Sequence, residues 1–149
     1  MLLKEMCTAG VVCCGLKTTA LEAARLMRHK HVGDVVVVDN PEEKGIPLGI
    51  VTDRDLVVQV LGRDLDPAKT TVGGLMRKPI VIAHEAEDTS EVIARMRSHG
   101  VRRIPVVARE GEVVGIVTLD DLLRQCVADA GSLVDIMNKA QSNEQHAPR

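Results

Sequence analysis

Two copies of one short motif hold the residues best suited to grip a ligand. Gly49-Ile50-Val51-Thr52-Asp53-Arg54-Asp55-Leu56 recurs as Gly115-Ile116-Val117-Thr118-Leu119-Asp120-Asp121-Leu122, identical at six of eight positions and offset by 66 residues. A threonine hydroxyl both donates and accepts, and a carboxylate three positions on can accept from two vicinal hydroxyls, as on a ribose. In each copy a β-branched run leads into the threonine and a helical pattern follows. The motif therefore sits where backbone N–H groups of a helix start can face an anion. A structural assignment stands beside this one. Thr with an acidic residue three positions later resembles a capping box, and an acid in the first turn suits the helix dipole. The two are compatible, with the Thr capping while the Asp faces a ligand.

The elements that must position these residues also repeat. Ala24-Arg25-Leu26-Met27-Arg28 parallels Ile93-Ala94-Arg95-Met96-Arg97, and Val35-Val36-Val37-Val38 parallels Ile104-Pro105-Val106-Val107, here at an offset of 69. The difference of three falls in a hairpin loop, Asp39 to Gly45 against Arg109 to Glu112, where length varies cheaply. Helical spacing predicts helices over 18–31 and 88–99. Short β-branched runs predict strands over 34–39, 103–107, 47–52 and 113–118. Helices should follow at 53–62 and 119–129. Gly131 then precedes a further helical stretch, Ser132 to Ala140, and the polar tail from Gln141 to Arg149 reads as disordered. Each repeat is thus β-α-β-β-α in an α+β fold, with residues 1–65 and 66–130 as the two repeats and 131–149 as a C-terminal helix and tail. A unit of about 60 residues is marginal alone, so the two should share a core with pseudo-twofold symmetry.

Composition narrows the function. The chain has 149 residues, a net charge of −2 and no Phe, Tyr or Trp. Without aromatic rings there is no platform for stacked bases, and the balanced charge offers no phosphate-tracking stripe, so nucleic acid is not expected as a partner. No apolar run approaches a membrane span, and Met1-Leu2-Leu3-Lys4-Glu5 lacks the regions of a signal peptide. A cytoplasmic setting with Cys7, Cys13, Cys14 and Cys126 as free thiols is the expectation. Those cysteines with His29 and His31 match no common zinc spacing, so no metal site is expected. Ala68-Lys69-Thr70 lacks the preceding glycine of a phosphate loop, and His84-Glu85 lacks the second histidine of a metalloprotease. Nothing assembles a nucleophile, a base and an oxyanion donor, so no catalysis is expected.

The doubled Gly-apolar-apolar-Thr-x-x-Asp, each preceded by a helix and a β-hairpin, resembles the ligand motif of CBS domains, and Leu75-Met76 before Pro79-Ile80-Val81 resembles the way such a repeat opens. The likeness covers nearly all of residues 1–130 and implies a tandem pair, a Bateman module. It further implies clefts between the halves that take an adenine nucleotide (AMP, ADP, ATP or NAD) as a regulatory ligand in signal transduction. Asp55 and Asp121 would hold ribose hydroxyls, and Thr52 and Thr118 ribose or phosphate. The adenine would lie among Val12, Cys13, Gly33, Asp34 and Val35 in one cleft, and Val81, Ile82, Ile104 and Pro105 in the other. Arg102 and Arg103 fall where the family contacts phosphate, a role that suits a planar fork of donors. The first repeat has Gly33-Asp34 there instead, and an aspartate would repel phosphate unless Arg54 compensates. The second cleft is therefore the expected nucleotide site. A homodimer through the helices starting near Asp53 and Leu119 is implied, with Leu56, Val57, Leu61, Leu122, Leu123 and Cys126 as apolar surface. The regulated partner would be another protein. The alternative is a structural dimerisation module whose clefts are degenerate and bind nothing.

Overall fold

Four consecutive valines set the centre of the fold. Val35, Val36, Val37 and Val38 are all buried, which a strand achieves only when both of its faces are covered. The computed structural model describes residues 1–7, 9–43, 45–78 and 80–145, in two units, Met1–Val117 and Thr118–Arg149. In the first unit, β1 (Cys13–Gly15), α1 (Ala20–Lys30), β2 (Asp34–Val38) and β3 (Pro47–Thr52) are followed by α2, which begins at Asp53–Asp55 and continues as a π-helical stretch, Leu56–Leu61. Then come α3 (Val72–Leu75), β4 (Ala83–His84), α4 (Thr89–His99), β5 (Arg103–Val107) and β6 (Val113–Thr118). The strands form two sheets of three, ordered β1-β2-β3 and β4-β5-β6. In the first, β1 lies parallel to β2 and β3 antiparallel to it; in the second, β4 lies parallel to β5.

The two faces of β2 go to different cores. Val35 and Val37 pack with Ala23 and Met27 of α1, Val51 of β3 and Val72 of α3. Val36 and Val38 pack with Val113 and Ile116 of β6. The second contact joins the repeats, and the burial it provides is what neither half has alone.

The repeat holds down to individual caps. The helices α1 and α4 are each 11 residues long, with N-caps at Thr19 and Asp88, whose side chains accept from Glu22 N–H (3.2 Å) and Ser90 N–H (2.9 Å). Their C-caps, His31 (φ 56°) and Gly100 (φ 63°), are both left-handed. These pairs keep the 69-residue offset.

The segments that lead into each repeat are exchanged. Leu2 bridges Asp88, and the N–H groups of Leu3 and Lys4 donate to Glu87 O and Glu85 O, both at 3.0 Å. At the equivalent place Thr71 bridges Thr19, and Ala20 N–H donates to Thr70 O at 2.7 Å. Residues preceding one repeat thus cap and pack onto the other. Gly49 of the first motif shows how tightly: a Cβ there would come within 2.7–2.9 Å of Met76 side-chain atoms.

The second unit departs from the expectation. α5 runs unbroken over Leu119–Gln145, 27 residues, through Gly131 and Ser132. Gly131 is exposed, and a Cβ on it would meet nothing within 4 Å, so its only cost is intrinsic propensity, which the flanking helix carries. The expected break is absent, and residues 141–145 of the expected disordered tail are helical; residues 146–149 lie outside the described residues.

Candidate functional site

The first motif is a closed capping box. Asp55 N–H donates to Thr52 Oγ1 (3.1 Å), and Thr52 N–H donates to Asp55 Oδ2 (2.9 Å). Asp55 is 5% exposed, the one buried charged residue of the described core. Its other oxygen, Oδ1, accepts from Arg77 Nε (3.3 Å) and Nη2 (3.1 Å), an arginine brought in by the exchanged lead-in. A buried carboxylate needs such partners to remain charged.

Beside this box lies an open cavity of about 320 Å³, within the range of small-ligand sites. One side is Ile50 and Thr52 to Asp55; the other is Arg77, Ile80, Val81 and Gly100 to Arg103. The cavity joins the motif of the first repeat to the segment before β4 and the paired arginines of the second. The expectation had placed Arg102 and Arg103 with the motif of their own repeat. The exchange of lead-ins is the physical reason for the crossing. Arg54, Arg77, Arg102 and Arg103 line the cavity together with Asp53 and Asp55.

Arg103 is not free. Its guanidinium forms a short ion pair with Asp34 at the start of β2. The aspartate expected to repel a phosphate is instead the counter-ion of an arginine across the repeat boundary. These two residues occupy the same position in their respective repeats, 69 apart.

The other expected residues distribute themselves unevenly. Val35 and Ile104 are fully buried and Pro105 is buried, all within strands. Val12 packs on the core under α1 and Cys13 on the core between the repeats. Gly33 O accepts from Asp53 N–H at 2.9 Å, and a Cβ at Gly33 would lie 3.2 Å from the Asp53 carboxylate, so glycine leaves room for the start of α2. Ile82 O accepts from Arg95 Nη1 at 2.7 Å. Arg95 also binds Glu87 at 2.6 Å, and this guanidinium holds the Glu87 carboxyl below its ordinary range. Pro79 of the lead-in lies outside the described residues. Arg77 was missed by the sequence reading: nothing in its local pattern separates it from an exposed arginine after a turn.

In the second unit, Thr118 and Asp121 repeat the box. Thr118 N–H and Oγ1–H donate to Asp121 Oδ2 (3.0 and 2.9 Å), and Asp121 N–H donates to Thr118 Oγ1 (3.2 Å). Arg124 lies 3.5 Å from the other carboxylate oxygen.

Cys13 and Cys14 behave as packing residues. Burial raises the Cys13 thiol and pushes Cys14 up to about 11, far from the thiolate that metals and electrophiles need. Among the described residues no group of three or more His, Cys, Asp or Glu is placed to hold a metal ion, and no helix is long and apolar enough to cross a membrane.

Comparison with known proteins gives a consistent picture. A CBS domain family model matches residues 3–62 and 72–128. Hypoxic response protein 1 of Mycobacterium tuberculosis is 35% identical over 121 residues, 81% of this chain and 82% of that protein. The crystal structure of Hypoxic Response Protein I with two coordinated zinc ions superimposes with a TM-score of 0.72 at 33% identity, over 84% of this chain and 98% of that one. Protein MK0525 of Methanopyrus kandleri is 36% identical over 106 residues, 71% of this chain, and the chain spans about half (53%) of it. The CBS domain pair of protein MJ0100, solved in complex with 5′-methylthioadenosine and S-adenosyl-L-methionine, gives a TM-score of 0.74 at 26% identity, over 87% of this chain and 98% of that one.

Proposed function

Because the chain belongs to the CBS domain family and carries two such repeats, we propose that it is a non-catalytic regulatory module that senses a phosphorylated adenosine, AMP, ADP, ATP or NAD. The observation that carries this reading is the cavity of four arginines beside the Thr52–Asp55 box. Asp55 offers a fixed carboxylate to ribose hydroxyls. Ile50, Ile80 and Val81 offer aliphatic surface to a base, which suits a chain without aromatic rings. Arg54, Arg77 and Arg102 surround the place where phosphate would lie, and charge-assisted bonds from guanidinium groups are the strong ones. The complex of the MJ0100 domain pair with two adenosine compounds supports the adenosine class. The arginines favour a phosphorylated member of it over a neutral or cationic one. Thr118 and Asp121 are the corresponding residues for a second ligand. Binding would bias the packing of the repeats, or of two chains in a homodimer, and another protein would read the change.

One observation favours the rival reading, a structural module with empty clefts. Asp55 and Arg103 already have internal partners, Arg77 and Asp34, so the cavity is satisfied as it stands.

The ultraviolet spectrum separates the two. A chain with no Tyr or Trp scarcely absorbs at 280 nm, so a co-purified adenine band stands alone and passes into the filtrate on denaturation. Without such a band, AMP, ATP and NAD are added and the melting temperature followed. Stabilisation that grows with ligand and is lost in Asp55→Asn or Asp121→Ala supports sensing. No response to any of the three would leave the structural module.

A further inference from the structure

The carboxylate of Asp55 is guarded on the side that a ligand would use. Its side chain is 6% exposed, whereas that of Arg77, which binds it at the cavity wall, is 74% exposed. Oδ2 accepts from Thr52 N–H at 2.9 Å, and Oδ1 accepts from both Nε (3.3 Å) and Nη2 (3.1 Å) of Arg77. Each carboxylate oxygen thus has a partner, and both lone pairs of Oδ1 are taken. Two vicinal hydroxyls, one on each oxygen, are accepted only once Arg77 leaves Oδ1. The guanidinium that leaves is already mostly in water, but it gives up its counter-ion, and an uncharged ligand supplies no other. The second motif is guarded less closely. Arg124 stands 3.5 Å from Asp121 Oδ1, beyond a normal hydrogen bond, and comes from the helix of the motif itself.

We infer that Arg77 is a latch that makes the first motif selective for the phosphorylated form of its ligand, exchanging Asp55 for phosphate when the ribose binds. This rests on the proposed adenosine site and assigns its selectivity to one residue. A nucleoside must break the Arg77–Asp55 pair without compensation. A nucleotide breaks the same pair and offers its phosphate to the released guanidinium, beside Arg54 and Arg102. Ribose and phosphate are then recognised in one event, coupled through Arg77. Coupling of this kind is reciprocal, so phosphate supplied separately helps adenosine to bind.

The test is isothermal titration of the full chain in an Asp121→Ala background, so that only the first motif is read, with the wild-type chain alongside. The probes are AMP, adenosine, and adenosine with inorganic phosphate. AMP should bind more tightly than adenosine, and phosphate should tighten adenosine several-fold where chloride of the same ionic strength does not. In Arg77→Ala, AMP should bind more weakly and adenosine several-fold more tightly. The preference for AMP should shrink by about ten-fold, the size of one charge-assisted bond, and the phosphate effect should vanish. Arg77→Gln should do the same, since the exchange depends on charge. A merely structural arginine would move AMP and adenosine in one direction. Equal weakening of both, or adenosine that ignores phosphate while Arg77 is present, overturns the latch and leaves the adenosine site standing. Binding in the wild-type chain that is lost in Asp121→Ala puts the ligand at the second motif and also overturns the latch alone. No binding of AMP or adenosine to either chain overturns the proposed site and the latch with it.

Discussion

At the scale of single residues, the ion pair of Arg103 with Asp34 decides how readily the cavity accepts an anion. A phosphate that uses Arg103 must displace a carboxylate already in place. Asp34→Asn removes the competitor and should tighten AMP binding, whereas Arg103→Ala should weaken it by about ten-fold, the size of one charge-assisted bond. Isothermal titration of both variants checks the pair of signs; equal weakening by both would show that Asp34 supports the site rather than competing for it. The thiols give a second residue-scale expectation. Exposed Cys126 should react with iodoacetamide at pH 8 in the native protein and buried Cys14 should not, as peptide mapping would reveal. The Cys14 thiol is raised from 9.0 to about 11 on folding. The folded state therefore keeps a proton that the unfolded state loses, and stability is complete below pH 9 and falls as pH rises toward 11. Cys14→Val should make the decline in melting temperature across that interval shallower.

At the scale of elements, close packing and helix ends set the tolerances. Ala at Gly49 would drive a methyl group into Met76, including its Cβ, and should cost about 1–3 kcal/mol in chemical denaturation. Ala at Gly131 meets open space and should stabilise α5 by about 0.5–1 kcal/mol, visible as added helicity. The same two glycines show what local sequence can and cannot tell. The strands around Val35 and Val106 were legible because β-branched runs of that length have few other uses, and the helix starts at Thr52 and Thr118 because a cap and an acid three residues apart form a local signal. Gly131 was misread as a stop. Its left-handed role at a helix end and its tolerated place in a helix interior look alike until the backbone is known. Gly49 gave no hint of Met76, since that contact spans the exchanged lead-in.

At the scale of the molecule, the doubling was legible and the crossing was not. An offset of 66 to 69 residues in the sequence is enough to infer two repeats, but which opening strand faces which motif is a matter of long-range register. That is why Arg102 and Arg103 were expected beside Thr118 and Asp121, and why Arg77 went unnoticed. The crossing itself is testable: Arg77→Ala should reduce nucleotide-induced thermal stabilisation together with Asp55→Asn, although 22 positions and a repeat boundary separate the two residues. The two halves have also ceased to be interchangeable. Because Asp34 and Arg103 hold equivalent positions and face one another, an artificial chain made of two first repeats would oppose carboxylate to carboxylate, and one made of two second repeats guanidinium to guanidinium. Duplication alone would have yielded halves able to assemble with copies of themselves. With complementary charges at this one position, each half favours its unlike sibling, so that fragments expressed separately should recombine as mixed pairs.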